Sequence, residues 1–103
     1  MNFNLNYEGF EDYLLKRTDL IDLRNGVHYL FKFPNNRGAS VVKYAGSYGY
    51  SKDLWELGVV LFGTSDDIWD LDYETEITCD VIGCLTDDGV RDLLKRIKEL
   101  DPI

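Results

Sequence analysis

The stretch W-D-L-D-Y-E-T-E-I, residues 69–77, alternates between two kinds of side chain without a break. The first set is mostly apolar or aromatic: Trp69, Leu71, Tyr73, Thr75 and Ile77. The second set is entirely acidic: Asp70, Asp72, Glu74 and Glu76. This period-two alternation predicts a strand with one buried face and one solvated face. Because like charges along a strand face repel, the acidic face either deters neighbouring chains or meets a partner.

The residues before this stretch predict an antiparallel meander. The turn dipeptide Asn25-Gly26 predicts a hairpin between strands at about residues 19–24 and 27–33. A second turn begins at Pro34, which cannot donate to a strand ladder. Further strands are predicted at residues 39–44 and 54–62, the latter being the most buried. Short connections favour pairing between strands that follow one another.

Helical spacing is present at both ends of the chain. Near the N-terminus, residues 7–17 place Phe10, Tyr13, Leu14 and Arg17 on one helical face and predict a short helix. Near the C-terminus, Thr86 is a good N-cap, and an apolar stripe follows it: Val90, Leu93, Leu94, Ile97 and Leu100. We therefore predict a single α+β domain over residues 1–103, with a β-meander of about five strands. A short N-terminal helix precedes it, and the amphipathic C-terminal helix packs on the sheet.

The charge is strongly segregated along the sequence. The 103 residues carry a net charge of −8, but Asp53 to Val90 contain eleven acidic side chains and no Lys or Arg. Direct binding of nucleic acid through its phosphates requires the opposite sign and is disfavoured. Attraction to a basic protein surface is favoured. No apolar run approaches the roughly 20 residues of a membrane span, and the N-terminus lacks a secretory signal pattern, so we expect a cytoplasmic protein.

The residues that could carry catalysis or hold a metal do not form a recognised pattern. His28, the only histidine, alternates with apolar residues inside a predicted strand and is expected to be half-exposed. Cys79 and Cys84 lack the spacing of a zinc site and are expected to be small buried residues. Carboxylates on an extended segment point in parallel and do not converge on a calcium ion. We expect neither enzymatic activity nor a metal or cofactor.

Two groups of residues are candidates for binding a partner. The first is acidic: Asp66, Asp67, Asp70, Asp72, Glu74 and Glu76. At a strand spacing of about 6.6–6.8 Å, alternate carboxylates could imitate a nucleic-acid backbone. The alternatives are an edge strand protected by charge, or acids that pair with Lys32 and Lys43. The second group is Tyr48 and Tyr50 on a glycine-rich loop, which either contact a partner or fold back over the sheet.

Three segments give the chain a resemblance to a group of small accessory proteins encoded by bacteriophages and prophages. They are F-P-N-N-R-G-A-S-V-V-K at 33–43, D-L-W-E-L-G-V-V at 53–60 and T-E-I-T-C-D-V-I-G-C-L-T-D-D-G-V at 75–90. The resemblance implies a protein acting inside a host bacterial cell. Proteins of this kind include acidic inhibitors of host defence, among them anti-restriction and anti-CRISPR proteins, several of which mimic DNA.

These observations lead to two expectations for function. The first is a non-enzymatic inhibitor that binds a basic site on a host protein, such as a nucleic-acid-handling defence nuclease complex. The second is a self-associating structural or assembly protein without inhibitory activity, whose interface would be the tyrosine loop and an exposed strand edge.

Overall fold

The computed structural model describes residues 1–20, 26–78 and 81–102. Within these ranges, six strands form one antiparallel sheet and a single α-helix packs on it. The strands are β1 (Leu14–Leu20), β2 (Gly26–Lys32), β3 (Arg37–Lys43), β4 (Trp55–Phe62), β5 (Trp69–Leu71) and β6 (Ile82–Leu85), and the helix is α1 (Asp87–Lys98). The predicted α+β fold, with a C-terminal helix on an antiparallel sheet, is confirmed.

Strands β1 to β4 form the predicted meander. Tyr29 in the second strand lies opposite Arg17 of β1 and Val41 of β3. The strand predicted at residues 19–24 begins earlier, at Leu14. The Asn25-Gly26 turn cannot be compared with its prediction, because residues 21–25 lie outside the described ranges.

The N-terminal helix predicted at residues 7–17 is reduced to one 3₁₀ turn at Glu11–Tyr13. Gly9 adopts a left-handed conformation with a φ of 93°, which interrupts a helix at that point. From Leu14 onward, the backbone pairs with β2 instead. Phe10, Tyr13 and Leu14 still contact the core. Their helical spacing therefore predicts correctly that these residues are partly buried, but it predicts the wrong secondary structure.

The edge of the sheet beyond β4 is shared by two short strands. β5 pairs with Val60–Phe62, and β6 pairs near the opposite end, at Trp55 and Leu57. β6 was not predicted from the sequence. It has four residues, and one of them, Cys84, has a positive φ of 57°, so it carries too little alternation to be recognised.

The principal core lies between the sheet and α1. The helix contributes Val90, Leu94 and Ile97, all with 0% exposure, and the Thr86 side chain accepts a hydrogen bond from the Gly89 amide at 3.1 Å. The predicted N-cap and apolar stripe are confirmed. The sheet side of this core consists of Val27, Tyr29, Phe31, Phe33, Ala39, Val41, Trp55, Leu57 and Val59.

The N-terminal segment lies against this core and is tied to it by polar contacts. The Tyr29 hydroxyl donates to the Phe3 carbonyl at 3.0 Å and accepts from the Leu5 amide at 3.2 Å. The ammonium of Lys43, a residue that is 1% exposed, donates to the Asn2 carbonyl at 2.6 Å. These contacts hold the chain start in place without a regular element.

The C-terminal end of α1 is joined to the turn between β2 and β3. Asn35 is buried, and its side-chain amide donates to the carbonyls of Ile97 at 2.9 Å and Leu100 at 3.0 Å. Its side-chain oxygen accepts from the Arg37 amide at 3.0 Å. Because helix ends leave carbonyls without partners, this one side chain fixes the helix terminus against the sheet.

Candidate functional site

The acidic segment, which we define as residues 66–76, is not the long strand that its alternation predicts. Strand pairing ends at Leu71, with one further bond from the Asp72 amide to the Val59 carbonyl at 2.8 Å. The Asp72 carboxylate then accepts from the Glu74 amide at 3.0 Å. A bond between a side chain and the backbone two residues later turns the chain out of the sheet. The predicted strand over residues 69–77 is therefore wrong beyond Leu71.

The apolar residues of this stretch do not form one buried row. Trp69 and Leu71 lie on the sheet face away from α1, where they pack against the small cluster of Leu30, Val60 and Phe62. Ile77, in contrast, packs against the principal core beside α1. Tyr73 is 49% exposed. The chain passes from one side of the sheet to the other within these residues, so strict alternation cannot be maintained.

The carboxylates of the acidic segment separate into paired and exposed groups. Asp66 forms an ion pair with Lys32. Asp72 pairs with Arg37 at 2.8 Å, and its side chain is only 16% exposed. Asp67, Asp70, Glu74 and Glu76 are exposed and form no ion pair within the described ranges. The alternative of pairing with Lys32 and Lys43 thus holds only for Asp66 and Lys32. Asp72 pairs instead with Arg37, which that alternative did not include, and Lys43 pairs with Asp53.

Exposed apolar side chains lie among the free carboxylates. Ile68 is 57% exposed and precedes Trp69, and Tyr73 lies between Asp72 and Glu74. Charge that only protects a strand edge does not require exposed apolar neighbours. A surface that combines the two has the composition of a contact region in which apolar groups are desolvated and charges set orientation.

The two loop tyrosines are not brought to the acidic segment. Tyr48 is 68% exposed, and its amide donates to the Glu56 carboxylate at 3.0 Å. Tyr50 is half-buried and starts a 3₁₀ turn at Tyr50–Lys52. Glu56 lies near the start of β4, whereas Trp69 pairs with Phe62 at its end. Six residues of strand separate these points by roughly 20 Å, so the two candidate regions lie at opposite ends of β4.

His28 occupies the half-exposed position that was expected. Its Nε2 atom lies 2.8 Å from the Ser40 hydroxyl oxygen, and its ring lies 5.8 Å from that of Trp69. A serine beside a histidine suggests nucleophilic catalysis only when a third group orients the imidazole. No carboxylate within the described residues bonds to this ring. The arrangement supports a structural hydrogen bond.

Burial, together with the nearby positive charge of Lys16, lowers the pKa of His28 below its ordinary value of 6.5. The folded state therefore disfavours the protonated imidazole, and the unfolded chain takes up the proton first. We expect the free energy of unfolding to fall as the pH is lowered below about 6.5. Urea unfolding at pH 7.5 and 5.5 should show a smaller decrease for His28→Gln than for the natural chain. Equal decreases would contradict this assignment.

The cysteine prediction is wrong where it can be compared. Cys84 is a free, exposed thiol in β6, and Cys79 lies outside the described residues. Cys84 has a positive φ of 57° in a short edge strand, a conformation that no spacing in the sequence indicates. Among the residues that the structure describes, no group of three His, Cys, Asp or Glu side chains is placed to hold a metal ion.

A cleft of about 280 Å³ lies beside Trp69 on the face away from α1. It is lined by Leu15, Lys16, Leu30, Asp66, Asp67 and Trp69. Lys32 already pairs with Asp66, and Lys16 and Asp67 both line the same cleft. Basic and acidic groups are balanced there, so the cleft has no clear preference for a charged ligand.

Comparisons with known proteins leave the function to be argued from the site itself. No protein-family model, curated protein or solved structure matches the chain. None of the helices in the described part of the chain is long and apolar enough to cross a membrane.

Proposed function

We propose that this protein binds a basic surface of another protein through the exposed part of its acidic segment. The observation that carries the proposal is that three exposed carboxylates, those of Asp67, Asp70 and Glu74, lie within eight residues that also carry the exposed side chains of Ile68 and Tyr73. None of these three carboxylates forms an ion pair among the described residues, so no neighbouring cation offsets their negative charge. The apolar side chains supply surface that gains free energy when a partner covers it.

The partner that best fits the charge is a nucleic-acid-handling enzyme of the host, such as a defence nuclease complex. A groove that binds phosphates also attracts carboxylates, which favours this class. Mimicry by a regular ladder of carboxylates has less support than the sequence suggests. β5 has only three residues, and Asp72 is held by Arg37. The proposed inhibitor therefore competes through an irregular acidic surface.

The proposal is tested by reversing charge at exposed positions only. Asp67, Asp70 and Glu74 are changed together to lysine, while Asp72 is kept because its ion pair with Arg37 and its bond to the Glu74 amide shape the segment. We expect this variant to lose a partner that the natural chain retains from a bacterial lysate at low salt and releases at high salt. We also expect it to stop inhibiting the defence enzyme identified in this way.

A matched control changes Glu8, Asp12 and Asp92 to lysine. These exposed acids lie outside the acidic segment, and their substitution alters the net charge by the same amount. The control variant should retain both the partner and the inhibition. If both variants lost the partner equally, the effect would be due to net charge alone. If the variant with Asp67, Asp70 and Glu74 changed to lysine retained the partner fully, the proposal would be refuted.

Self-association receives less support from the edge of the sheet. β1 is an edge strand, because among the described residues it pairs only with β2. Leu15 on this strand is 38% exposed. The same strand carries Lys16, Arg17 and Asp19, and its pairing with β2 shifts register between Leu14 and Lys16. Charges and a bulge are the usual means of preventing edge-to-edge pairing.

A further inference from the structure

A groove separates the acidic segment from the C-terminal end of α1. Two adjoining clefts of about 250 Å³ and about 210 Å³ form it, and both are lined by Glu76 and Leu100. Ile77 and Leu100, which pack against the principal core, supply its apolar lining. The groove thus has the exposed acids of the acidic segment on one side and the C-terminal end of α1 on the other.

The charged lining of the groove is mainly acidic and unpaired. The carboxylates are those of Glu74, Glu76, Glu99 and Asp101, all of which are exposed and without an ion pair inside the described ranges. Arg37 also lines it, but its guanidinium donates to the Asp72 carboxylate at 2.8 Å and to the Asp101 carbonyl at 3.0 Å. Arg96 is the remaining basic side chain. The negative end of the helix dipole adds to the excess of negative charge.

The lining of the groove favours peptide side chains over a small molecule. Sites for small molecules are usually lined mostly by apolar or aromatic groups. Each cleft has more charged than apolar residues in its lining. Two small neighbouring clefts with an apolar part and acidic walls suit successive side chains of an extended basic segment.

We propose that this groove receives an arginine-bearing extended segment of the basic partner, an inference that rests on the function proposed above. The aliphatic part of an arginine would lie on Leu100 and Ile77, and its guanidinium would reach Glu76 and Glu99. Arginine fits better than lysine because its planar group binds carboxylates in a bidentate manner and is more weakly hydrated.

Calorimetric titration of the full chain with an acetylated and amidated hexa-arginine peptide tests this site. The variant Glu76→Gln/Glu99→Gln removes two carboxylates of the groove while keeping their size. We expect the peptide to bind this variant about tenfold more weakly, because both carboxylates are exposed and solvent screens each contact with the guanidinium groups. The control Glu8→Gln/Asp12→Asn removes two exposed carboxylates outside both the groove and the acidic segment and should weaken binding by less than about threefold.

Each other outcome of the titration counts against the groove. Equal weakening in the two variants would show diffuse attraction to the acidic surface, and no weakening in the first would exclude Glu76 and Glu99. A hexa-lysine peptide that binds as tightly as hexa-arginine would overturn the preference for arginine.

If the lysate partner is retained by the Glu76→Gln/Glu99→Gln variant and lost on charge reversal at Asp67, Asp70 and Glu74, the proposal for the groove is refuted and the proposed function stands. If the peptide binds in the groove but no basic partner is retained, the function fails instead.

Discussion

Replacing Lys43 by methionine is expected to lower the free energy of unfolding by about 2–4 kcal/mol. The Lys43 ammonium, on a side chain that is 2% exposed, lies 4.1 Å from the centre of the Trp55 ring. It donates to the Asn2 carbonyl, the Asp53 carbonyl and the Asp53 carboxylate at 2.6, 3.1 and 2.8 Å. Methionine fills the same space but leaves both carbonyls without a donor. Urea unfolding with a constant m-value measures the loss.

The matched control is Lys52→Met, at an exposed lysine in the neighbouring 3₁₀ turn, which should change stability by less than about 0.5 kcal/mol. The Lys43 hydrogen bond also holds the pKa of Asp53 below its ordinary value of 3.8. This contribution to stability is present above that pH and is lost as the pH falls below it. Because Lys43→Met removes this hydrogen bond, the free energy of unfolding of the variant should fall less than that of the natural chain as the pH is lowered below 3.8. A variant as stable as the natural chain would refute a structural role for this buried cation.

Replacing Trp55 by alanine should have a comparable or larger effect, with a loss of about 3–5 kcal/mol. This side chain is 1% exposed, and its ring lies 5.7 Å from that of Tyr29. Its indole nitrogen donates to the Asp87 carboxylate at 2.7 Å and so links β4 to the first turn of α1. Truncation removes the packing, the hydrogen bond and the ring beneath Lys43 together. Thermal and urea unfolding measure the effect.

Trp69→Ala is the matched control for this substitution. Trp69 is only partly buried and packs against the smaller cluster on the face away from α1, so its loss should cost less, about 1–2 kcal/mol. A conservative Trp55→Phe variant separates packing from hydrogen bonding, because it keeps an aromatic ring and removes the donor to Asp87. If Trp69→Ala proved more damaging than Trp55→Ala, the assignment of the principal core to the α1 side would be wrong.

Elements with strong local patterns were predicted well. The N-cap at Thr86 and the apolar stripe of α1 depend on residues three or four positions apart, and every one of these signals is within the helix itself. Strands β2 to β4 were predicted because apolar runs between turns are long enough to be recognised. β6 was not predicted, because a strand of four residues carries too little pattern. The helix predicted at residues 7–17 was wrong, because the N-terminal segment is held by contacts with β2.

The candidate binding surface was predicted in part. Its position in the sequence and its acidic character are evident from composition, but the distinction between exposed and paired carboxylates is not. Asp72 meets Arg37 from 35 positions away, and Lys43 meets the Asn2 carbonyl from 41 positions away. No local pattern indicates such pairs. The exposed Tyr73 could not have been found either, since strict alternation assigns it to the buried row.

Local sequence determined the helix, most of the meander and the confinement of negative charge to one third of the chain. It could do so because periodicity, turn residues and charge are properties of neighbouring positions. Tertiary structure alone decided where the alternation of residues 69–77 ends, which carboxylates are neutralised and which line a groove beside α1. Those outcomes depend on side chains from distant strands, because a carboxylate binds the cation that folding brings within reach.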